Sequence, residues 1–235
     1  EFTRLAARRE HCFQCAAAEG LFWGSLTGGD AAGCSRNAAL FGRWPWSVAV
    51  SLEHDARLVE FWEEAVKAEA AECGGSIVDG APLELAAEAL ERPWYRWKYD
   101  ALAGDAHVVN YHCYPREAGA LFDAVEEELA GRGNASLGRV VVPLSFGGTF
   151  FCETVAFVEP AGFKSLTAPA LAAYRAAFEL GALIDKPTGA VAKMMFESAD
   201  PGYRRMLAML KKQFDPHGIL NPGALPVDPV MEEPP

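Results

Sequence analysis

The run His107 to Tyr114, HVVNYHCY, is followed by a helical pattern, PREAGALFDAVEEELAG, and then by the β-branched run Arg139 to Leu144. That succession most constrains the fold. β-Branched and aromatic residues fit a pleated strand, and Pro115 is pre-set for the first turn of a helix that runs to about Gly131. Gly147-Gly148 then turns the chain into a further strand, Phe150 to Val158. Earlier, the same order is expected from a strand at Trp46 to Leu52, a helix at Asp55 to Cys73 ended by Gly74-Gly75, and a short strand at Ser76 to Asp79. Two such β-α-β units predict an α+β fold, a ferredoxin-like duplicated β-α-β layout with an antiparallel sheet. Helices would cover one face of the sheet. The other face is left for a ligand or another domain.

Around this centre the sequence predicts a helix over 2–23 with an Ala-rich middle, and a long irregular connection over 24–45. A short helix is expected at Pro82 to Leu90, another at Ala168 to Gly181, an irregular stretch over 182–193, and a last helix at Tyr203 to Phe214. In that last helix Met206, Leu207, Met209, Leu210 and Phe214 recur at helical spacing and are expected to fill core. The domain expectation is therefore an N-terminal helix and connection over 1–45, the ferredoxin-like part over 46–167, and a C-terminal helical segment over 168–235.

With 235 residues, 51% of them hydrophobic and 23% charged, the chain can bury a sizeable core. A formal net charge of −11 repels nucleic-acid phosphates and anionic membrane surfaces, so neither is expected as a partner. No apolar run reaches the roughly 20 residues of a membrane span. No secretory signal is visible, and a cytoplasmic protein is expected. The chain begins at Glu1, which reads as a processed protein or a piece of a longer one. Among six cysteines, Cys12-Phe-Gln-Cys15 has redox or half-site spacing, but no second pair follows, so buried thiols and no metal are expected.

The chain's closing stretch, Lys211 to Gly223, reads KKQFDPHGILNPG. Asp215-Pro216 must stop the preceding helix, Gly218 permits a positive φ, and Ile219-Leu220 offers two apolar anchors before Asn221-Pro222-Gly223 turns again. This ending, after a duplicated β-α-β layout, resembles that of FAD-linked oxidases of the vanillyl-alcohol oxidase superfamily, of glycolate oxidase, D-lactate dehydrogenase and p-cresol methylhydroxylase types. The resemblance implies the C-terminal cap, or substrate domain, of an oxidoreductase that removes hydride from a hydroxyl-bearing or benzylic carbon to flavin. It implies FAD as cofactor and an FAD-binding domain or subunit as partner, with Asn221 beside the cofactor. A small-molecule substrate, aromatic or carboxylated, is expected, with an electron-acceptor protein as a further candidate partner. A non-catalytic cap-like subunit serving assembly or electron transfer is the alternative.

The glycine-dense stretch Gly24 to Gly33 is the chain's own candidate for a pyrophosphate cradle, although no strand was expected before it. The hydroxy-acid branch carries histidine metal ligands where this chain has Phe146 to Glu153, FGGTFFCE, and Lys186-Pro187 where that branch has a Glu-His pair. A metal-dependent mechanism is therefore not expected. Alternation along the strand places Glu153, Phe151 and Thr149 on one side and Cys152 and Phe150 on the other. Glu153 is the candidate proton acceptor, and Tyr111 or His112 the candidates to orient a substrate oxygen, on opposite faces of their strand. Arg96 and Lys98, within the aromatic and basic run Trp94 to Tyr99, and Lys186 are candidate substrate cations, with Phe151 a pocket wall.

Overall fold

A computed structural model of the chain describes residues 12–91, 105–130, 132 and 135–220. They fall into two compact units, divided after Leu183. In the first unit five strands form a single antiparallel sheet: β1 (Cys12–Ala18), β2 (Ser47–Leu52), β3 (Asp105–Cys113), β4 (Ser136–Leu144) and β5 (Thr149–Val158), in the order β2-β1-β4-β5-β3. The helices of this unit are α1 (Gly20–Thr27), α2 (Ala31–Phe41), α3 (Ala56–Glu72), α4 (Ala81–Glu91), α5 (Ala118–Leu129) and α6 (Thr167–Glu179).

The second β-α-β unit forms as the sequence predicts. β3, α5 and β4 make the crossover, and β5 returns between β3 and β4 to pair with both. The first unit forms differently. Residues 12–18, expected inside a helix, are strand β1, which pairs with β2 on one side and β4 on the other. Small Ala side chains suit this place between two helical layers, so tertiary pairing overrides their helix propensity. Residues 76–79 join no strand. The connection expected over 24–45 contains α2 and the second half of α1.

The sheet has two unlike faces. On one, Tyr111, Cys113, Val141, Phe150, Cys152 and Val158 pack against Leu121, Phe122, Val125 and Leu129 of α5 and the alanines of α6. On the other, Ala16, Ala18, Val140, Val155 and Phe157 pack against Phe22, Trp23 and Leu26 of α1, Phe41 of α2 and Ala89-Leu90 of α4. Arg139 of β4 ties the centre together. Its side chain donates to Glu19, before α1, at 2.9 and 2.5 Å and to Glu126 of α5 at 2.8 Å, while its own N–H also reaches the Glu19 carboxylate at 3.1 Å.

The second unit holds α7 (Gly189–Ser198) and α8 (Pro201–Phe214). α7 begins inside the stretch expected to be irregular. Asp200 caps α8 by accepting the N–H groups of Gly202 and Tyr203 at 2.8 and 3.0 Å. The apolar stripe of α8 is not core: Met206, Met209, Leu210 and Phe214 are exposed, and no residue of the helix is buried. Its spacing gives an amphipathic helix, but among the described residues its apolar side is not enclosed.

Candidate active site

The helices over the second sheet face cover only part of it. Along β5 the residues on that face are Phe157, Val155, Glu153, Phe151 and Thr149, and the helical cover packs on Phe157 and Val155. Beyond them the face carries Glu153, Phe151 and Thr149 of β5 and Asn110 and His112 of β3, with Val142 of β4 at the edge of the helical cover and packed against it. Asn110 stands opposite Glu153 and His112 opposite Phe151 in the β3–β5 ladder, with Val142 opposite Phe151 from β4. Period-2 alternation makes this one continuous patch.

Glu153 is the buried member, 4% exposed, between Asn110 and Val140. A carboxylate is rarely buried so deeply without a functional or pairing reason. Phe151, Asn110, His112, Thr149 and Val142 are half-buried around it. The His112 ring lies tilted against Phe151, 5.4 Å between centroids. The His112 backbone is held by reciprocal hydrogen bonds with Leu183, 2.7 and 2.9 Å, so the imidazole projects from a fixed strand. The patch therefore combines a carboxylate, an imidazole, an amide and an aromatic ring.

Of the residues singled out in the sequence, the structure brings Glu153, His112 and Phe151 together on this face. Tyr111 lies on the opposite face, fully buried against Phe122, and among the described residues its hydroxyl has no hydrogen-bond partner. Burial pushes its ionisation far up. Beside it the thiols of Cys113 and Cys152 touch at 3.6 Å. The hydrogen bond to Cys113, together with burial, pushes the Cys152 thiol up, which makes it a packing group rather than a nucleophile. Cys15 and Cys34 are buried as well, and Cys73 is exposed. Lys186, in the second unit, is exposed and has a left-handed backbone with φ 47°. Arg96, Lys98 and Asn221 lie outside the described residues. Asn110 shares the His112 side of β3, and its place opposite Glu153 became visible once the β3–β5 register was known.

The glycines of 20–33 have a different task from a phosphate cradle. A Cβ on Gly24 would stand 2.4 Å from the Cys34 carbonyl oxygen and 2.7 Å from the Ala38 nitrogen, and one on Gly28 would stand 2.1 Å from the Cys34 nitrogen. They let the backbones of α1 and α2 touch. A Gly-x-x-x-Gly-x-x-x-Gly spacing at 20, 24 and 28 was the signal for this, since residues four apart share a helix face. These glycines thus serve helix packing and do not form a dinucleotide-binding loop.

In the second unit Asp215 organises the closing stretch. Its carboxylate is paired with the Lys211 ammonium and accepts the N–H groups of Ile219 at 2.8 Å and Leu220 at 3.0 Å. Lys211 also donates to the Leu220 carbonyl at 2.5 Å. Gly218, at φ 65°, lets the chain double back to reach that carboxylate. The Lys211 charge, with these backbone donors, holds the Asp215 carboxyl below the usual carboxylate range. The turn presents Ile219 and Leu220 outward, both exposed.

Residues 189–225 match the family "FAD linked oxidases, C-terminal domain". No curated protein matches the sequence. Among solved structures, the fold is similar to 4-ethylphenol oxidase from Gulosibacter chungangensis, with 14% identity, TM-score 0.68, and 90% of this chain matched to 47% of that one. It is similar to p-cresol methylhydroxylase with 16% identity, TM-score 0.68, and 90% matched to 46%. Alkyldihydroxyacetonephosphate synthase matches more loosely, at 12% identity, TM-score 0.51, and 94% matched to 40%. The chain spans less than half the length of each. Among the described residues no helix is long and apolar enough to cross a membrane.

Proposed function

We propose, from a chain that carries the C-terminal-domain segment of the FAD-linked oxidases and the fold of a cap domain of the vanillyl-alcohol oxidase superfamily, that it supplies the substrate side of an FAD-dependent oxidoreductase. FAD is the cofactor of that family. The cofactor would be held by an FAD-binding domain or subunit, for which the exposed apolar groups of the second unit offer a contact surface.

The observation that carries the reading is the buried Glu153 carboxylate at the margin of an otherwise helix-covered sheet face, with Asn110, His112 and Phe151 beside it. Bound flavin would supply a hydride acceptor. This chain's residues do the rest. Phe151 and Val142 provide an apolar wall for the ring or chain of the substrate, while His112 and Asn110 hydrogen-bond its oxygen. Glu153 accepts the proton of a substrate hydroxyl as the carbon is oxidised. A hydroxyl-bearing or benzylic carbon fits this arrangement, and Arg96 or Lys98 would pair with an anionic group if the substrate carries one. An acceptor protein would then take the electrons onward.

The test is anaerobic addition of p-cresol, 4-ethylphenol and a panel of hydroxy acids to the protein purified with its FAD-binding half. Bleaching of the visible flavin band by one of these compounds is the expected result. A chain that neither carries nor associates with a flavin-binding part would overturn the reading.

A further inference from the structure

Helix α6 ends in a way that aims the chain at the sheet edge. The Gly181 N–H bonds back to the Phe178 carbonyl and the Ala182 N–H to the Ala177 carbonyl, both at 3.0 Å, with Gly181 at φ 91°. This nested pair of bonds closes a helix through a left-handed glycine. The next residue, Leu183, then meets β3: its N–H donates to the His112 carbonyl at 2.9 Å and its carbonyl accepts the His112 N–H at 2.7 Å. Further along the same edge the Tyr174 hydroxyl, also from α6, donates to the Val108 carbonyl at 3.0 Å and accepts the Asn110 N–H at 3.4 Å. Leu183 is thus fixed twice, by the helix end before it and by the strand beside it.

Residues that exchange both bonds across an antiparallel pair carry their side chains on the same face. Leu183 therefore stands beside His112 on the partly covered face that holds Glu153. Successive pairings make one row across the sheet, Leu183 opposite His112, His112 opposite Phe151, and Phe151 opposite Val142. At the Val142 end the row runs into the helical cover. At the other end stands Leu183, apolar and 65% exposed. An exposed leucine says little by itself. Its place in this row gives it a task. From Glu153 to Leu183 is two strand spacings across and two residues along, about 12 Å, and that diagonal passes between Asn110 and His112. A phenol whose oxygen meets Glu153 and whose ring lies over Asn110 and His112 points its para substituent at Leu183.

We infer that Leu183 is a specificity-determining residue of the candidate site: it is the outer apolar wall of the substrate face, and its volume limits the alkyl group that an aromatic substrate can carry. This rests on the proposed substrate-binding role of the Glu153 face. Leu183 takes no part in moving the proton or the hydride.

The experiment uses the protein with its FAD-binding half and compares the wild type, Leu183→Ala, Leu183→Trp and Glu153→Gln on p-cresol, 4-ethylphenol and 4-propylphenol. Leu183→Ala should raise kcat/KM for 4-propylphenol relative to p-cresol about tenfold, and Leu183→Trp should lower that ratio about tenfold. The unfolding midpoint should stay in place in both, because the side chain is already exposed. A second arm needs no turnover: in protein with isotope-labelled leucine methyls, 4-ethylphenol should shift the signals that Leu183→Ala removes, through the ring current of the bound phenol. Signals unmoved by 4-ethylphenol overturn the inference whatever the rates. If Glu153→Gln is slow and both Leu183 variants keep the wild-type ratio, the wall role fails and the site reading stands. If Glu153→Gln is not slow, or none of the three phenols is oxidised, the site reading loses its support and the methyl signals alone decide whether Leu183 borders a ligand.

Discussion

Gly24→Ala separates two accounts of the glycine-dense segment by the sign of its effect. Gly24 lies within α1, where alanine is ordinarily favoured over glycine by about 1 kcal/mol. At this position the added Cβ would meet the Cys34 carbonyl oxygen at 2.4 Å, the Ala38 nitrogen at 2.7 Å and the Ala38 Cβ at 2.9 Å, about an ångström inside ordinary contact at the first. Two of these atoms are backbone, so no side chain can swing away. The helices must separate, and Trp23 and Phe41, which stack at 6.0 Å beside the crossing, lose contact with them. Overpacking of this kind costs about 1–3 kcal/mol. A net destabilisation of up to about 2 kcal/mol is expected after the propensity gain is subtracted. Urea unfolding followed by Trp fluorescence and circular dichroism measures it, at unchanged slope. A higher midpoint would refute the crossing. Unchanged stability with lost flavin would instead restore the cradle.

Tyr111→Phe removes a buried hydroxyl that has no partner among the described residues, on the face away from Glu153, so stability should hold or rise by up to about 1 kcal/mol in thermal unfolding and flavin reduction should be unchanged. Glu19→Gln weakens the charged bonds to Arg139 that tie β1 to β4, and a loss of about 1–3 kcal/mol is expected by denaturant titration. The Asp215 carboxyl, held low chiefly by Lys211, contributes stability that is present above its unfolded value of about 3.9 and is lost as pH falls through the lower native one. Hydrogen exchange at Ile219 and Leu220 should therefore be protected at neutral pH and lose that protection, after correction for intrinsic rates, in strong acid; Asp215→Ala should lose it at both.

The sequence makes the face of β5 legible because alternation is local: Glu153, Phe151 and Thr149 had to oppose Cys152 and Phe150 once the strand was recognised. The turn at Asp215 to Leu220 was equally readable, since Pro216 and Gly218 act through their own backbones. What stayed hidden depends on distant partners. CFQCAAA reads as helix by propensity, and becomes a strand only because β2 and β4 pair with it. The stripe on α8 reads as core because period reports that a face is apolar, not what covers it. The Asn110–Glu153 pairing required the register of two strands far apart in sequence, and the reach of Tyr174 around the edge required the helix to be placed.

The central claim is that Glu153, buried at the margin of the partly covered sheet face, accepts a proton during substrate oxidation. Stopped-flow measurement of flavin reduction by an oxidisable substrate, comparing the wild type with Glu153→Gln in the protein with its FAD-binding half, tests it most directly. The amide keeps the shape of the carboxylate and removes its proton affinity. A fall of about 10²- to 10⁴-fold in the reduction rate, with FAD content and unfolding midpoint unchanged, is the predicted result. Reduction at the wild-type rate would contradict the account.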